Sequence, residues 1–493
     1  MSPASTRLAQ ASRSMAHAYR AKRREEAQVV ENDVEAARAR AIVALSMRAA
    51  EMMLSSGATA ARSTRLVLSI CRHFGLPAQV DITYTRILIS YEPSSASDPI
   101  TVMRMVNPGL VDYDRLSRVE NLIQTMSEEN LDIHLMYSRL RNIRREPRSY
   151  RLWVVYGAAA AMGGGVAMLM GGNRSDVLLS MFATFAAEFV RNNMARRGMN
   201  TFFTQASSAA MAAVIGLLVM TGRAHLPESL PQASPGLVVA AGMVPLLAGL
   251  GIVTTAGDAI DAYYMSAGSR AVEVFVLTSG IVLGLISVLA CGIWLDVPSY
   301  LAPIDGFAAS LPAQLASAGI IAASFGLLCN MGPRSALAAT AVGIVAQCVF
   351  LVTTALTTSS PARSGLAALL VGLLARLVTT PLRIPVVALI STGIAPLMPG
   401  LLLYRGIFVL VSEVPEASVG IPVPGQNAQT LLLKCLLTGA ALAVGSSFGA
   451  ALGNTALRLA TKGTVRRPIR ANGDGSGFRR RRPLHPAERA QTS

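Results

Sequence analysis

The chain has 493 residues, of which 52% are hydrophobic and 15% charged, with a formal net charge of +16 and a mean hydropathy of +0.46. Soluble domains carry about 25% charged residues, so a single water-soluble globule is excluded. A chain disordered throughout is excluded too, because this much apolar surface must be buried.

The charges are unevenly placed. Residues 1–150 hold 21 Lys+Arg and 16 Asp+Glu, residues 151–456 hold 13 and 10, and residues 457–493 hold 10 and 2. That pattern predicts an all-α polytopic membrane protein with a small α+β cytoplasmic head. The positive excess lies beside apolar segments and in the tail, where topology and anionic lipid headgroups account for it, so no nucleic-acid partner is expected. Cys71, Cys291, Cys329, Cys348 and Cys435 are odd in number and lack metal spacing. Neither a disulfide framework nor a metal or other cofactor is therefore expected. The N-terminus lacks the apolar stretch of a secretory signal.

In chain order, residues 1–33 read as a disordered basic arm with Arg20, Lys22, Arg23 and Arg24. Residues 34–150 read as the cytoplasmic α+β domain. A helical pattern runs from Val34 to Ser55, and Thr59 is placed to cap a second helix through Phe74. Residues 79–91 are β-branched and partly alternating, which predicts one strand, followed by a turn at 94–99 and a second strand at 100–106. Helices over 112–127 and 130–146 complete the head. Glu51 and His73 are its candidate polar groups, but there is no nucleophile elbow, P-loop or metalloprotease motif, so no enzyme is expected.

Ten apolar stretches then have the length of a membrane span, near 152–170, 177–195, 202–221, 236–256, 271–295, 311–330, 335–356, 364–380, 385–410 and 430–455. They divide into a first half at 151–295 and a second at 311–456, followed by a disordered basic tail at 457–493. Arg139, Arg141, Arg144, Arg145, Arg148 and Arg151 before the first span hold that side in the cytoplasm. Alternation puts Arg191, Arg196, Arg197, Arg270, Arg334, Arg376 and Arg383 on the same side. Ten spans return the basic tail there, which places both termini in the cytoplasm of a multi-pass protein of the bacterial inner membrane.

The body contains a repeat. Residues 242–250 and 393–401 share Gly-x-x-Pro-Leu-x-x-Gly-Leu at an offset of 151, in the fourth and ninth spans. Five spans following five spans insert with opposite orientation, the inverted-repeat design of secondary transporters. Pro removes a backbone donor, and Gly lets the chain leave helical geometry. Pro399 and Gly400 are therefore expected to break the ninth span near mid-depth, and Gly249 with Pro245 to break the fourth more mildly. Freed backbone groups then face a polar substrate. The alternative is a packing kink without a ligand.

Charges inside apolar stretches are costly and therefore informative. Asp258 and Asp261 are three apart and share a face if their segment is helical. Glu188 and Glu273 lie within or beside spans, and Arg376, Arg405 and Lys434 are the positive counterparts. An Asp or Glu here is a proton carrier, and an Arg a carboxylate partner. As topological anchors, Asp258, Asp261, Arg270 and Arg376 would instead sit in cytoplasmic loops. Gly163-Gly164-Gly165 and Gly171-Gly172 permit close helix contact, within one protomer or between two of a homo-oligomer.

Three stretches resemble the threonine/serine exporter (ThrE) family. They are Glu-Met-Met-Leu-Ser-Ser-Gly-Ala-Thr-Ala-Ala-Arg-Ser-Thr-Arg (51–65) with Val-Asp-Ile-Thr-Tyr-Thr-Arg (80–86), the run Thr-Thr-Ala-Gly-Asp-Ala-Ile-Asp (254–261) continuing to Arg270, and Pro-Leu-Met-Pro-Gly-Leu-Leu-Leu-Tyr-Arg-Gly (396–406). The resemblance covers residues 40–455. It implies a cytoplasmic head, ten spans in two halves, and proton-driven export of threonine and serine. It also carries over Glu51, Gly57, Asp258, Arg270, Pro399 and Gly400 as site candidates. Residues 245–249 read Pro-Leu-Leu-Ala-Gly where many members resemble Leu-Pro-Gly, so a gentler break is expected there. Some relatives are similar to two separate proteins linked to dicarboxylate export. A dicarboxylate exporter of the same architecture is the alternative, with Arg376 and Arg405 as its two cations. A channel or sensor regulated by the head is another.

Overall fold

The computed structural model describes residues 34–93, 98–107, 109, 111–225, 233–246, 249–295, 309–412 and 427–464. The expected arm at 1–33 and most of the tail lie outside the described residues.

The N-terminal segment begins with α1 (34–55) and α2 (Ala60–His73). The turn between them rests on Gly57 at φ +97°, where a Cβ would stand 2.9 Å from Val111. Thr59 caps α2 as expected, its hydroxyl accepting from the Arg62 amide at 3.3 Å. The expected single strand at 79–91 is instead a hairpin of β1 (Ala78–Ile82) and β2 (Arg86–Tyr91), with β3 (Ile100–Met105) beyond β2. Both pairings are antiparallel. The turn carries no Gly, Pro or Asn, the usual signals. It closes because the Thr83 amide donates to the Arg86 carbonyl at 2.8 Å. Ile82, Ile87 and Ile89 share a buried core with Ala39, Val43 and Met47 of α1 and Val67 of α2. Then come α3 (Tyr113–Glu129), capped by the Asp112 carboxylate accepting from the Arg115 amide at 3.0 Å, and α4 (Ile133–Arg145). Arg62 of α2 grips Glu120 of α3 through two bonds of 3.0 and 3.1 Å.

The remaining chain is helical. In order it forms α5 (Leu152–Leu169), α6 (Arg174–Arg196), α7 (Thr201–His225), α8 (Pro235–Met243), α9 (Gly249–Ile260) and α10 (Tyr264–Trp294). Next come α11 (Leu311–Leu328), α12 (Pro333–Val352), α13 (Ser360–Leu382), α14 (Val386–Gly393), a 3-10 turn at Ala395–Leu397, α15 (Gly400–Ser412) and α16 (Ala428–Thr464). The order of three helices, two short helices and one long helix therefore occurs twice.

Among the described residues, seven helices are long and apolar enough to cross a membrane: α5, α7, α10, α11, α12, α13 and α16. The bent pair α14–α15 makes an eighth. The chain is thus a polytopic membrane protein, while the expected count of ten is not reached by this measure. The shortfall is α6 and the α8–α9 pair. In α6, Asp176, Glu188 and Arg191 interrupt the apolar run; α8 and α9 are only 9 and 12 residues long. The long last helix, α16, runs to Thr464, past the expected boundary at 456.

Glycines set the closest helix crossings. A Cβ on Gly284 of α10 would overlap the Ala206 carbonyl oxygen of α7. In the second set, a Cβ on Gly445 or Gly449 of α16 would overlap the carbonyl oxygen of Gly365 or Leu369 of α13. The third and last helices of each set are therefore packed backbone to backbone, which only small residues permit. Gly163 and Gly164 of α5 lie against α6, and Gly165 against α11, all within the same chain.

The N-terminal segment docks on the helical body through two unlike contacts. At the first, the Tyr113 and Asp114 amides donate to the carbonyls of Cys329 and Asn330 at 2.9 and 3.2 Å. There the Asn330 amide donates to Asp112 at 2.7 Å, and the Tyr113 and Ser391 hydroxyls meet at 2.7 Å in a buried position. Leu116, Val119 and Ile123 of α3 share one continuous core with Met331, Ala339 and Ile394 of the body. The second contact is the β1–β2 turn, which reaches the start of α10.

Candidate functional site

The two breaks carry the repeat. Gly249 opens α9 and Gly400 opens α15, so the final glycine of each motif stands at the first position of the second short helix. Gly242 and Gly393 stand at the ends of α8 and α14, each against a neighbouring helix: a Cβ would come within 3.0 Å of Ala212 at the first and 2.6 Å of Val342 at the second. The α14–α15 bend is 43°. Met398 between them is extended, at φ −61° and ψ 138°. By position, the first amides of α9 and α15 have no carbonyl acceptor within their own helix. At the first break Gln205 of α7 donates to the Leu246 carbonyl at 2.8 Å; at the second the Pro399 carbonyl accepts from the Leu403 amide at 2.9 Å, with the Cys435 thiol donating to it at 3.6 Å. At the fourth-span break, where residues 247 and 248 lie outside the described residues, Gln205 bridges the end of α8 to α7.

The breaks lie together. Met243 and Leu246 of the first share a core with Leu403, Tyr404 and Ile407 of the second. Val253 of α9 shares another with Ile394, Leu397 and Leu442. The first turns of α9 and α15 carry the partial positive charge of helix N-termini, which favours an anionic group.

A second cluster lies at the end of α9. Asp258 is fully buried and Arg270 nearly so, with the Arg270 Nε 2.9 Å from Asp258 Oδ2. The charges face each other, but the N–H is not aimed along that line, and both carboxylate oxygens of Asp258 lack a hydrogen bond. The β1–β2 turn closes over this pair. The Arg270 guanidinium stacks on the Tyr84 ring, 4.4 Å from its centroid, and the Tyr84 hydroxyl donates to Glu273 Oε2 at 2.6 Å. Burial, and then the bond to the Glu273 carboxylate, push the Tyr84 phenol well above its ordinary value, so it remains a donor. Asp261 caps the last turn of α9, its amide donating to the Gly257 carbonyl at 3.0 Å, before Ala262 turns left-handed at φ 65°, and it lies within electrostatic reach of Asp258. Asp261 is exposed and Asp258 is not.

The other candidates are distributed. Glu188 is buried and held by Arg191 of its own helix, with Arg191 Nε 2.8 Å from Glu188 Oε2. Arg376 stands late in α13 beside Gly453 and within electrostatic reach of Arg62, Arg65 and Glu120. Arg405 is half-buried on α15. Glu51 accepts from Arg104 of β3 at 2.7 Å and faces Arg144 of α4 at 4.0 Å, which gives it a place in the packing of the N-terminal segment. Sequence reasoning missed Tyr84, which lay inside the expected strand. Glu273 was singled out, but its partner was not. Among the described residues, no group of three His, Cys, Asp or Glu side chains is placed to hold a metal ion.

Residues 44–292 match the ThrE family described as "Putative threonine/serine exporter", and residues 314–452 match "Threonine/Serine exporter, ThrE". The chain is similar to a "Probable threonine/serine exporter" of Mycobacterium tuberculosis, 27% identical over 83% of this chain and 76% of the relative. It is also similar to a "Threonine/serine exporter" of Corynebacterium glutamicum, 26% identical over 76% of each chain. No solved structure matches. The first family match alone spans half the chain and takes in both the Tyr84 turn and the Asp258–Arg270 pair: this protein belongs to the threonine/serine exporter (ThrE) family.

Proposed function

We propose that the protein is a secondary active exporter of small hydroxy amino acids, threonine and serine, across the cytoplasmic membrane, coupled to the proton gradient. Family membership and the names of both relatives support the substrate class. The observation that carries a transport mechanism is the pair of matched breaks, each opened by a glycine and packed against the other. In secondary transporters such breaks expose backbone groups to the solute near mid-depth. Ten spans in two five-span halves of opposite orientation fit the doubled element order and the two glycine-closed crossings. The arginines before α5 fit cytoplasmic termini.

The substrate carboxylate meets the first-turn amides of α15 from Gly400 onward, next to Pro399, which has no N–H to donate. Asp258 carries the coupling proton: it is a buried carboxylate balanced by one guanidinium and no hydrogen bond. Its protonation biases the two halves between alternative access states. The test uses everted vesicles loaded with labelled threonine, serine or succinate, with and without a proton gradient. Gradient-driven movement of threonine and serine is expected, and Asp258→Asn abolishes uphill export per inserted molecule. Succinate movement alone would replace the substrate class, and normal coupled export by Asp258→Asn would remove Asp258 from the coupling role.

A further inference from the structure

The two contacts between the N-terminal segment and the body differ in kind. The α3 contact is a fixed dock, built from backbone bonds and a continuous apolar core. Burying such groups together leaves no cheap way to separate them. The β1–β2 contact rests on one phenol, one guanidinium and two carboxylates. Two carboxylates against one guanidinium leave a net negative charge in a largely buried place, so this contact responds to any cation or proton that arrives there. One end of the segment is anchored on the second half and the other is latched to α9–α10 of the first.

We propose that Tyr84 is a positioning residue of the cytoplasmic gate. Its ring holds Arg270 against Asp258, and its hydroxyl ties the hairpin turn to Glu273, so that the turn closes the cytoplasmic end of α9–α10 until the latch releases. The segment is anchored on α11–α12 and α14, so release of Tyr84 lets the first half move relative to the second. The proposal takes the two-state cycle from the reading above. The substrate, an amino acid arriving from the cytoplasm, competes for the latch with its own ammonium and carboxylate.

The test is cysteine accessibility in the full chain in inside-out vesicles. Ser266 is buried and one turn before Arg270 on the same helix face. Ser266→Cys is made in a chain whose Cys291 and Cys348 are replaced by Ser, and labelled with a membrane-impermeant maleimide. With Tyr84 intact, labelling is slow. In Tyr84→Phe, which keeps the ring and loses the bond to Glu273, labelling accelerates about tenfold, the effect of one hydrogen bond to a charged group. In Tyr84→Ala it accelerates further. Gradient-independent leak of threonine from preloaded vesicles rises in the same order. Unchanged labelling in Tyr84→Phe at normal membrane abundance overturns the proposal, and that variant decides the matter if Tyr84→Ala fails to insert. The labelling needs no substrate, so a wrong substrate class would show as absent leak with accelerated labelling, distinct from failure of the gate.

Discussion

Gly449 of α16 provides the sharpest test of the packing. A Cβ at this position would stand 2.8 Å from the Leu369 carbonyl carbon and 3.0 Å from the Leu373 amide of α13, besides overlapping the Leu369 oxygen. Ordinary carbon contacts lie at about 3.5–4.0 Å. Gly449→Ala therefore forces α13 and α16 apart by at least about 1 Å at this crossing, the Leu369 oxygen setting the limit, and a gap of that size forfeits about half of each pairwise attraction. Over some 20–30 atom pairs at roughly 0.1–0.2 kcal/mol each, that amounts to about 1–3 kcal/mol, the usual range for overpacking. Alanine's better helix propensity returns up to about 1 kcal/mol. Gly157→Ala on α5 is the control, because nothing lies within 4 Å of a Cβ there. The assay is SDS-titrated unfolding of the purified protein in mixed micelles. Gly449→Ala should lose about 1–2 kcal/mol net, while Gly157→Ala should be neutral or slightly stabilised. Equal stability of the two variants would refute the backbone-to-backbone crossing.

Two further outcomes follow from the geometry. Arg270→Ala and Asp258→Ala each leave a buried charge without its partner and should cost about 3–5 kcal/mol, while the double variant should cost well under the sum; an additive cycle in the same unfolding assay would show the pair to be uncoupled. Gly57→Ala places a side chain at φ +97° against Val111 and should destabilise the chain by roughly 1–3 kcal/mol in the same assay, whereas unchanged stability would contradict the turn geometry.

Legibility in the sequence followed the range of the physics. Helix starts were readable because Thr59 is a short polar residue before an apolar run and caps within its own turn. The breaks at Gly249 and Pro399-Gly400 were readable because Pro and Gly act on local backbone. The hairpin at 83–85 was not, since Thr-Tyr-Thr has strand propensity and its turn is set by tertiary context. Asp258, Arg270 and Glu273 stood out one by one as charges in apolar surroundings. Their partnership with Tyr84 did not, because it spans 189 residues from Tyr84 to Glu273. Glu188 with Arg191 lay within reach, since an i,i+3 pair on one helix needs no tertiary knowledge. The Gly445, Gly449 and Gly453 spacing in α16 was equally present as a small-residue repeat.

The fixed dock of α3 has a consequence for biosynthesis. Tyr113 bonds to Ser391, 278 residues later in the chain. At about 5–20 residues per second, the ribosome needs roughly 15–55 s to supply that partner. The core around Leu116 and Val119 includes Leu45, Met53 and Met136 from the start, but its Met331, Ala339 and Ile394 arrive only with the second half. A chain arrested between its halves would leave that core incomplete, a target for chaperones and proteases. Any relative that divides the two halves between separate genes must deliver the second polypeptide before the first is cleared.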